Sequence, residues 1–335
     1  AHIFNQYKMP KALITTIPFC DKNRRPLDLL EKAGIEYLIN PLNKKLTENE
    51  LANMVTNFDV IIAGTEPIKE KVMDNAQNLK MISRVGIGLD SVDLLAAEKH
   101  GITVSYTPDA PAPAVAELTI GLMLTLLRSA QLSNIEMHNG KWNRLIGRRL
   151  SEVTIGVIGV GRIGIRVLRH LQGFGSPRVL LNDISPNENI EKEFNIEWTE
   201  KETLLQESDI ITIHTPLTAQ TKNMVKKEHL LTMKEDAIVI NTARGGIINE
   251  KDLYDVMKTG HLSGAAIDVF NFEPYAGSLC DIQRCILTPH MGSMSVDCRT
   301  RMEIEATEEA VRFLTNKPLE CVVPEDEYAV QRQGL

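Results

Sequence analysis

The stretch VTIGVIGVGRIGIRVLRHL, residues 153–171, decides the fold. Residues 153–158 are rich in branched apolar side chains and carry no charge, so they predict a buried β-strand, and the residues beyond the glycines repeat apolar side chains at helical spacing. Between strand and helix, Gly159 permits a tight turn, Gly161 lets the backbone approach a pyrophosphate, and Gly164 lets the helix pack close to the strand. The helix N-terminus presents unpaired N–H groups and a positive dipole end. The stretch therefore predicts a dinucleotide-binding unit.

Asp183 ends the next apolar run, RVLLND, residues 178–183. A carboxylate at this point can accept hydrogen bonds from a ribose 2′-hydroxyl and would repel a 2′-phosphate, which favours NAD over NADP. The alternative is an ordinary strand–turn–helix unit, because glycine turns are common. The strand before, the helix after and the acid at this distance favour the dinucleotide.

Bulk composition restricts the class of partner. The net charge of −7, with no Lys/Arg cluster, argues against a nucleic-acid surface. The longest apolar run, residues 118–127, is too short to span a bilayer and is flanked by Glu117 and Arg128, so it predicts a buried helix and no membrane partner.

The five cysteines are odd in number and scattered, and no secretory signal is visible, which suits a reducing, cytoplasmic compartment. Cys280 and Cys285 lack the further ligands of a zinc site, so no metal is predicted.

A chain of 335 residues predicts two domains. Its first third alternates strand-like and helix-like segments, which predicts a parallel sheet with helices on both faces. The prolines of TPDAPAPAVAE, residues 107–117, suggest a hinge before a long helix from about residue 114. A second long helix, from Ser293 to about Leu314, could return the chain to the first domain, which would leave a cleft between two domains.

Reactive side chains follow the predicted strands, where parallel-sheet proteins place their sites. They occur in the segments HTP (214–216), NTARGG (241–246) and TPH (288–290), and at Asp268 with Glu273 downstream. Arg244 precedes two glycines that would allow a small ligand to approach, and a guanidinium is the natural bidentate partner of a carboxylate. The alternative is a surface arginine in a turn.

His290 lies at a strand end after a proline, and Glu273 could reach it. A carboxylate beside an imidazole fixes its tautomer and favours its charged form, so His290 is a candidate general acid. Taken alone, a histidine and a glutamate at this separation do not decide the matter.

The loop RVGIGLD, residues 84–90, follows a predicted strand, and its glycines leave backbone N–H groups that can bind an anion. The alternative is a plain turn into the helix at Ser91, and both can hold.

Several stretches together resemble one family. They are SRVGIGLDSVDLLAA (83–97), AVAELTIGLML (114–124), TIGVIGVGRIG (154–164), HTPLTAQTKNM (214–224), INTARGGIINEKDLYDVMKTGHLSGAAIDVFNFEP (240–274) and ILTPHMGS (286–293). The chain resembles the D-isomer-specific 2-hydroxyacid dehydrogenases, and most closely their phosphoglycerate-dehydrogenase-like branch.

The resemblance implies an NAD-dependent enzyme and a homodimer joined through the cofactor domain. The implied catalytic set is Arg244, which binds the substrate carboxylate and polarises the carbonyl, His290, which delivers the proton, and Glu273, which supports the histidine. The implied cofactor contacts are Gly159, Gly161, Arg162, Ile163, Gly164, Asp183, His214, Thr215, Pro216, Thr242, Ala243, Arg244, Asp268, His290 and Gly292. The implied substrate contacts are Val85, Gly86, Ile87 and Gly88, together with Arg244 and His290.

Two residues bear on the branch. Phosphoglycerate dehydrogenases tend to carry an Arg-Ser pair where this chain has Gly64-Thr65-Glu66, and Glu66 would repel a phosphate unless it points away. Glu273 counts against the formate-dehydrogenase branch, which usually has glutamine there.

The combined prediction is an α/β protein with two doubly wound parallel-sheet domains. A Rossmann cofactor domain spans residues 113–296, and a discontinuous flavodoxin-like substrate domain spans residues 1–112, completed by 297–335. The predicted reaction is hydride transfer between the nicotinamide and C2 of a small D-2-hydroxy acid or 2-oxo acid, with a 3-phosphoglycerate-like acid included. Two alternatives stay open: an NADH-responsive binding or regulatory protein of the same fold, and an enzyme that oxidises a non-carboxylate anion such as phosphite.

Overall fold

The computed structural model of the protein describes residues 8–334. Its strands, numbered in chain order, are β1 (Lys11–Ile14), β2 (Glu36–Ile39), β3 (Val60–Ala63), β4 (Met81–Arg84), β5 (Thr103–Ser105), β6 (Ile155–Ile158), β7 (Val179–Asn182), β8 (Ile196–Trp198), β9 (Ile210–Ile213), β10 (Ile238–Asn241), β11 (Gly264–Ile267) and β12 (Cys285–Leu287). Its α-helices are α1 (Arg25–Lys32), α2 (Glu48–Met54), α3 (Glu70–Asp74), α4 (Leu94–Lys99), α5 (Ala112–Leu127), α6 (Ala130–His138), α7 (Arg162–Gln172), α8 (Lys201–Glu207), α9 (Lys227–Thr232), α10 (Glu250–Lys258), α11 (Val296–Leu314) and α12 (Glu325–Arg332). Short 3₁₀ helices occur at Leu150–Glu152, Glu188–Lys192 and Ser278–Asp281.

The chain forms two compact units. Unit 1 consists of two segments, residues 8–111 and 295–334 of the described chain, and unit 2 is the continuous segment Ala112–Met294. Unit 1 therefore takes β1 to β5 and α1 to α4 from the start of the chain and α11 and α12 from its last part.

Unit 1 contains a five-stranded parallel sheet in the order β2-β1-β3-β4-β5, which is the flavodoxin-like order. Alternate residues of its strands enter two separate cores. Leu13, Ile61 and Ile82 pack in the first core, which reaches Tyr328 of α12. Ala12, Ile14, Val60 and Ile62 pack in the second, with Met302, Ala306 and Ala310 of α11. Each fully buried large apolar side chain contributes about 1.5–3 kcal/mol, so both faces need their helices.

Unit 2 contains a seven-stranded parallel sheet in the order β12-β11-β10-β9-β6-β7-β8. This is the Rossmann order extended by one strand, with the change of winding direction between β6 and β9. Both faces of this sheet are also covered, by α8, α9 and α10 on one side and by α5 and α7 on the other. The predicted fold class, two doubly wound parallel-sheet domains, is confirmed.

Some elements differ from the sequence-based expectation. The long helix predicted from about residue 114 begins at Ala112, with Pro113 in its first turn, where a missing N–H is tolerated. It ends at Leu127, and α6 follows after Ser129, whose φ of +50° interrupts the helix. The strands β2 and β8 and the helix α12 were not predicted, because the two strands are short and none of the three elements has a fully buried residue.

Within residues 8–334, no single helix is long and apolar enough to cross a membrane. Only α5 and α6 taken together reach the required length and composition, and they are bent by 61°.

Candidate active site

In the glycine turn after β6, backbone segments approach so closely that only glycine fits at two positions. Gly159 has φ +90°, and a Cβ there would lie 2.4 Å from the carbonyl oxygen of His214 on the neighbouring strand end. A Cβ on Gly164 would lie 2.3 Å from the carbonyl oxygen of Gly159, so only glycine lets α7 approach the turn. At Gly161 a Cβ would meet no atom within 4 Å, which leaves open space beside the turn.

Helix α7 begins at this open space. Its N-cap residue is Gly161 and makes no side-chain cap hydrogen bond, so the helix presents backbone N–H groups of its first turn, such as that of Ile163, to an anion. Asp183 follows β7 and binds the same turn, because its Oδ2 accepts a hydrogen bond from the Val160 N–H at 2.7 Å. Its Oδ1 accepts from the Ser185 N–H at 2.9 Å. The carboxylate is thereby fixed beside the glycine turn.

The segment after β9 lies against Gly159. The Nε2 of His214 shares a hydrogen bond of 2.8 Å with Thr212 Oγ1, while its Nδ1 is buried with no partner among the described residues. Burial lowers the pKa of His214 to about 3, so the ring is neutral. The Thr215 hydroxyl is also buried without a partner in the described chain, and the Pro216 carbonyl accepts from Thr221 Oγ1. A buried hydroxyl without a partner, next to a glycine turn, suits a polar ligand such as a phosphate.

The loop after β10 is held by its own polar side chains. Asn241 Oδ1 accepts from the Ala243 N–H at 3.0 Å, and Asn241 Nδ2 donates to the Arg244 carbonyl at 2.9 Å. Thr242 Oγ1 lies 2.9 Å from Thr119 Oγ1 of α5. Arg244 Nη1 donates to the Ala243 carbonyl at 3.2 Å, and a Cβ on Gly245 would lie 2.1 Å from the backbone of Phe270. The backbone that carries Arg244 is therefore held by side-chain and packing contacts on both sides of this residue.

Asp268, at the end of β11, organises the turn that carries His290. Its carboxylate accepts three hydrogen bonds, from Thr288 Oγ1 at 2.7 Å, the Met291 N–H at 2.8 Å and the Gly292 N–H at 3.0 Å. Its backbone carbonyl accepts a fourth, from the His290 N–H at 2.8 Å. Burial raises the pKa of Asp268, and the hydrogen bonds oppose this.

His290 and Glu273 are brought together. The Nδ1 of His290 lies 2.7 Å from Glu273 Oε2, and Glu273 Oε1 accepts from the Phe270 N–H at 3.1 Å. His290 has φ +49°, a left-handed conformation that non-glycine residues adopt rarely and that is concentrated at functional sites. Because β10, β11 and β12 are neighbouring parallel strands, Arg244, Glu273 and His290 all follow the same edge of the sheet.

In unit 1, the turn after β4 uses some of its amides internally. The Val85 N–H donates to the Ala63 carbonyl at 2.9 Å, and the Gly86 N–H donates to Thr107 Oγ1 at 2.7 Å. The amides of Ile87 and Gly88 make no hydrogen bond within residues 8–334. We therefore narrow the anion-binding prediction to the amides of these two residues.

Glu66 is 2% exposed, and its carboxylate is used inside unit 1. Its Oε1 accepts from the Thr15 hydroxyl and, at 3.1 Å, from the Gly64 N–H. The carboxylate is thus turned towards the ends of β1 and β3 and is not solvated. The sequence left its direction open.

Several supporting residues escaped the sequence analysis. Thr119 lies far from the site in sequence, and Asn241 was seen only as a strand end. Glu250 accepts from the Asn271 N–H at 2.8 Å next to Glu273, and burial raises its pKa. Arg84 and Thr107 support the unit 1 turn. Only their contacts in three dimensions reveal these roles, because no local pattern marks them.

The residues of unit 2 fit a dinucleotide. The uncapped helix, the open space at Gly161, the Thr215 hydroxyl without a partner and the fixed Asp183 carboxylate supply what a pyrophosphate and a ribose require. Together with a histidine–glutamate pair and an arginine at the same sheet edge, they define the class of nicotinamide-dependent α/β oxidoreductases.

Comparison with known proteins specifies the class further. Residues 120–292 match the model for "D-isomer specific 2-hydroxyacid dehydrogenase, NAD binding domain". The chain is 33% identical to the hydroxypyruvate reductase of Thermotoga maritima over 299 residues, covering 86% of this chain and 96% of that one. It is 35% identical to the D-3-phosphoglycerate dehydrogenase of Methanocaldococcus jannaschii, covering 83% of this chain and 54% of that one. The crystal structure of the TT0316 protein of Thermus thermophilus superposes with a TM-score of 0.84 and 32% identity, covering 94% of this chain and 100% of that one.

The chain belongs to the D-isomer-specific 2-hydroxyacid dehydrogenase family. Its cofactor is NAD, and it is an oxidoreductase that transfers hydride between the nicotinamide and C2 of a small 2-hydroxy or 2-oxo acid. The predicted family, cofactor and enzyme class are thereby confirmed.

Proposed function

We propose that the protein reduces a small, unphosphorylated 2-oxo acid to the D-2-hydroxy acid with Arg244, Glu273 and His290 as its catalytic set. The observation that carries this proposal is the 2.7 Å contact between His290 Nδ1 and Glu273, on a turn held by Asp268. Unit 1 is the proposed substrate-binding domain, and unit 2 binds the cofactor.

Arg244 has the chemistry to hold the substrate. Its planar guanidinium can bind a carboxylate through two parallel hydrogen bonds, and its charge polarises the adjacent carbonyl. The neighbouring glycines and the Asn241 contacts give this side chain a rigid base. A rigid base matters because orientation accounts for much of the rate enhancement when a cofactor carries the reactive electrons.

His290 is the proposed proton donor. Because Glu273 occupies Nδ1, the ring presents Nε2 to the substrate, and Nε2 delivers the proton to the carbonyl oxygen during reduction. Bound NAD supplies or accepts the hydride at C2. The Glu273 carboxylate compensates the imidazolium charge, so in the oxidation direction the neutral ring can accept the proton of the substrate hydroxyl at Nε2.

The size and charge of the substrate are proposed from unit 1 and from the relatives. Where phosphoglycerate dehydrogenases tend to carry an Arg-Ser pair, this chain has Gly64-Thr65-Glu66, so this segment offers no guanidinium to a substrate phosphate. One relative is named a hydroxypyruvate reductase, and the phosphoglycerate dehydrogenase relative is about twice as long as the part matched here. We therefore favour hydroxypyruvate and glyoxylate over 3-phosphohydroxypyruvate.

A substrate screen tests this proposal. Oxidation of NADH, followed by absorbance, should be fastest with hydroxypyruvate or glyoxylate and at least about tenfold slower, as kcat/KM, with 3-phosphohydroxypyruvate, since the segment 64–66 offers a phosphate no guanidinium. Tight NADH binding without turnover of any 2-oxo acid would favour the regulatory alternative. NAD reduction by phosphite alone would favour the anion-oxidising alternative.

We propose a homodimer joined through unit 2. The segment 128–147, which contains α6, begins and ends at the same place, because the Arg148 N–H donates to the Leu127 carbonyl at 3.2 Å. No residue of α6 is buried, and Met137, Trp142 and Ile146 are exposed. Large apolar side chains exposed close together in the sequence support an interaction surface in this segment.

The substitution Ile146→Asp should convert the dimer to a monomer, because it places a charge at a large apolar residue of the proposed interface, and loss of a hot-spot residue costs about 2 kcal/mol or more. Light scattering coupled to gel filtration gives the mass. Ile184→Asp is the matched control, since Ile184 is an equally exposed isoleucine of the same unit. A wild-type monomer, or equal masses for all three proteins, would contradict the proposal.

We also propose that the protein works in the cytoplasm. The five cysteines are all unpaired thiols, which is the usual state in a reducing compartment.

A further inference from the structure

We propose that Arg84 is a positioning residue that shapes the turn after β4, so that the amides of Ile87 and Gly88 receive the substrate carboxylate. The inference rests on the proposed function and assigns to that site a residue that does not touch the substrate. The turn is defined as residues 85–88.

Arg84 is the last residue of β4, and its side chain is buried, with the residue 1% exposed. Its Nε donates to the Gly88 carbonyl at 2.9 Å. Its Nη1 donates to the carbonyls of Ala63 at 3.1 Å, Gly64 at 2.5 Å and Val85 at 3.2 Å. One guanidinium thus joins the end of β3 to both the first and the last residue of the turn.

A lysine could not make this set of contacts. The guanidinium is a rigid planar fork with five N–H donors, whereas an ammonium has three donors at one point. Buried carbonyls that lose their donors are destabilising, so the turn keeps this shape only with the fork in place.

Gly86 shows how closely the guanidinium supports the turn. A Cβ on Gly86 would lie 2.8 Å from Arg84 Nη2, and the φ of Gly86 is +143°, a value that other residues rarely adopt. On its other side, Gly86 exchanges two hydrogen bonds with Thr107: its N–H donates to Oγ1 at 2.7 Å, and its carbonyl accepts from the Thr107 N–H at 2.9 Å. With the amides of Val85 and Gly86 engaged, the amides left for a ligand are those of Ile87 and Gly88.

The two charged side chains of this region, Arg84 and Glu66, make different contacts. Gly64 accepts from Arg84 through its carbonyl and donates to Glu66 through its N–H. The contacts of the Glu66 carboxylate are with Gly64 and Thr15, whereas Arg84 bonds directly to Gly88. The guanidinium, and not the Glu66 carboxylate, is therefore the charged group that bonds to the turn.

The test compares Arg84→Met with the wild type. Amides that hold a carboxylate act equally on substrate and transition state, so a distorted turn raises KM and leaves kcat nearly unchanged. We expect KM for the 2-oxo acid, and the Kd of the unreactive carboxylate oxamate for the NADH complex by calorimetry, to rise about tenfold or more. The Kd for NADH, whose site is in unit 2, should not change. Arg84→Lys should lie between the two.

Arg312→Met is the matched control. Arg312 is a mostly buried arginine of unit 1 whose ion pairs are with Glu308, Glu309 and Glu320, none of which belongs to the turn. It should lower Tm without raising KM. If Arg84→Met does not fold, Gly86→Ala tests the same contact, because its Cβ would collide with the guanidinium. Gly101→Ala is then the control, since Gly101 also has positive φ but a Cβ there meets no atom within 4 Å.

An unchanged KM and an unchanged oxamate Kd in a folded Arg84→Met or Gly86→Ala variant would overturn the inference. So would a crystal structure of the oxamate complex in which the Arg84 guanidinium bonds to oxamate. A wild type that binds oxamate but turns over no 2-oxo acid would contradict the proposed function instead, while loss of oxamate binding in the Arg84 variant would still support the positioning role.

Discussion

Replacing His290 by alanine is expected to lower kcat by about two to four orders of magnitude, the range that a general acid contributes. The reason is that the proton on Nε2, held in place by the 2.7 Å contact of Nδ1 with Glu273, has no substitute in an alanine side chain. Steady-state kinetics with the best 2-oxo acid measures the loss. NADH binding, followed by fluorescence, should stay within about threefold of the wild type, because the glycine turn and Asp183 are untouched.

The variant Glu273→Gln tests the supporting role of Glu273 separately from proton delivery by His290. It keeps the shape and the hydrogen bond to His290 but removes the charge that compensates the imidazolium, so kcat should fall less than in His290→Ala. His261→Ala is a control, because the Nε2 of His261 contacts the Leu230 and Met233 carbonyls behind α9. Turnover that survives His290→Ala unchanged would remove this residue from the mechanism.

Arg244→Lys is expected to lower kcat/KM by about two to three orders of magnitude, the effect of removing a preorganised group that stabilises developing charge. The positive charge is kept, but the planar fork that binds a carboxylate through two hydrogen bonds is lost. Kinetics at subsaturating 2-oxo acid gives kcat/KM directly.

Arg178→Lys is the matched control in the same unit. Arg178 pairs on the surface with Glu197, so its replacement should change neither kinetics nor Tm appreciably. If Arg244→Lys retained full activity, the guanidinium geometry would be irrelevant, and a surface arginine would be the better description of Arg244.

The fold class followed from the sequence because its signals are local. Buried parallel strands appear as short runs of branched apolar residues, and a glycine turn between strand and helix is visible within a few residues. The same locality explains what was missed. The strand β8, at a sheet edge, has two partly buried residues and one exposed residue, and α12 buries none of its residues fully, so neither has a pattern to detect.

The sequence also predicted those residues of the site that follow strand ends, but not the contacts between distant segments. Strand ends such as Arg244 and His290 could be identified because parallel strands place their carboxyl ends together. The direction of the Glu66 carboxylate could not, since it depends on Thr15, 51 residues away. The use of the Gly86 amide by Thr107 is equally invisible, because it requires the pairing of β4 with β5.

The split course of unit 1 has a consequence for biosynthesis. Its strands β1 to β5 are translated first, yet Met302, Ala306 and Ala310 complete one of its two cores, and the Ala306 carbonyl accepts from the Ser83 hydroxyl at 2.6 Å. A nascent chain reaching residue 294 has every residue of the cofactor-binding unit, but the side of the earlier sheet that α11 completes is then covered only in part, by α1 and residues near it. Unit 2 can therefore complete its fold before unit 1. The incomplete core of unit 1 stays exposed to chaperones, or to aggregation, until α11 emerges.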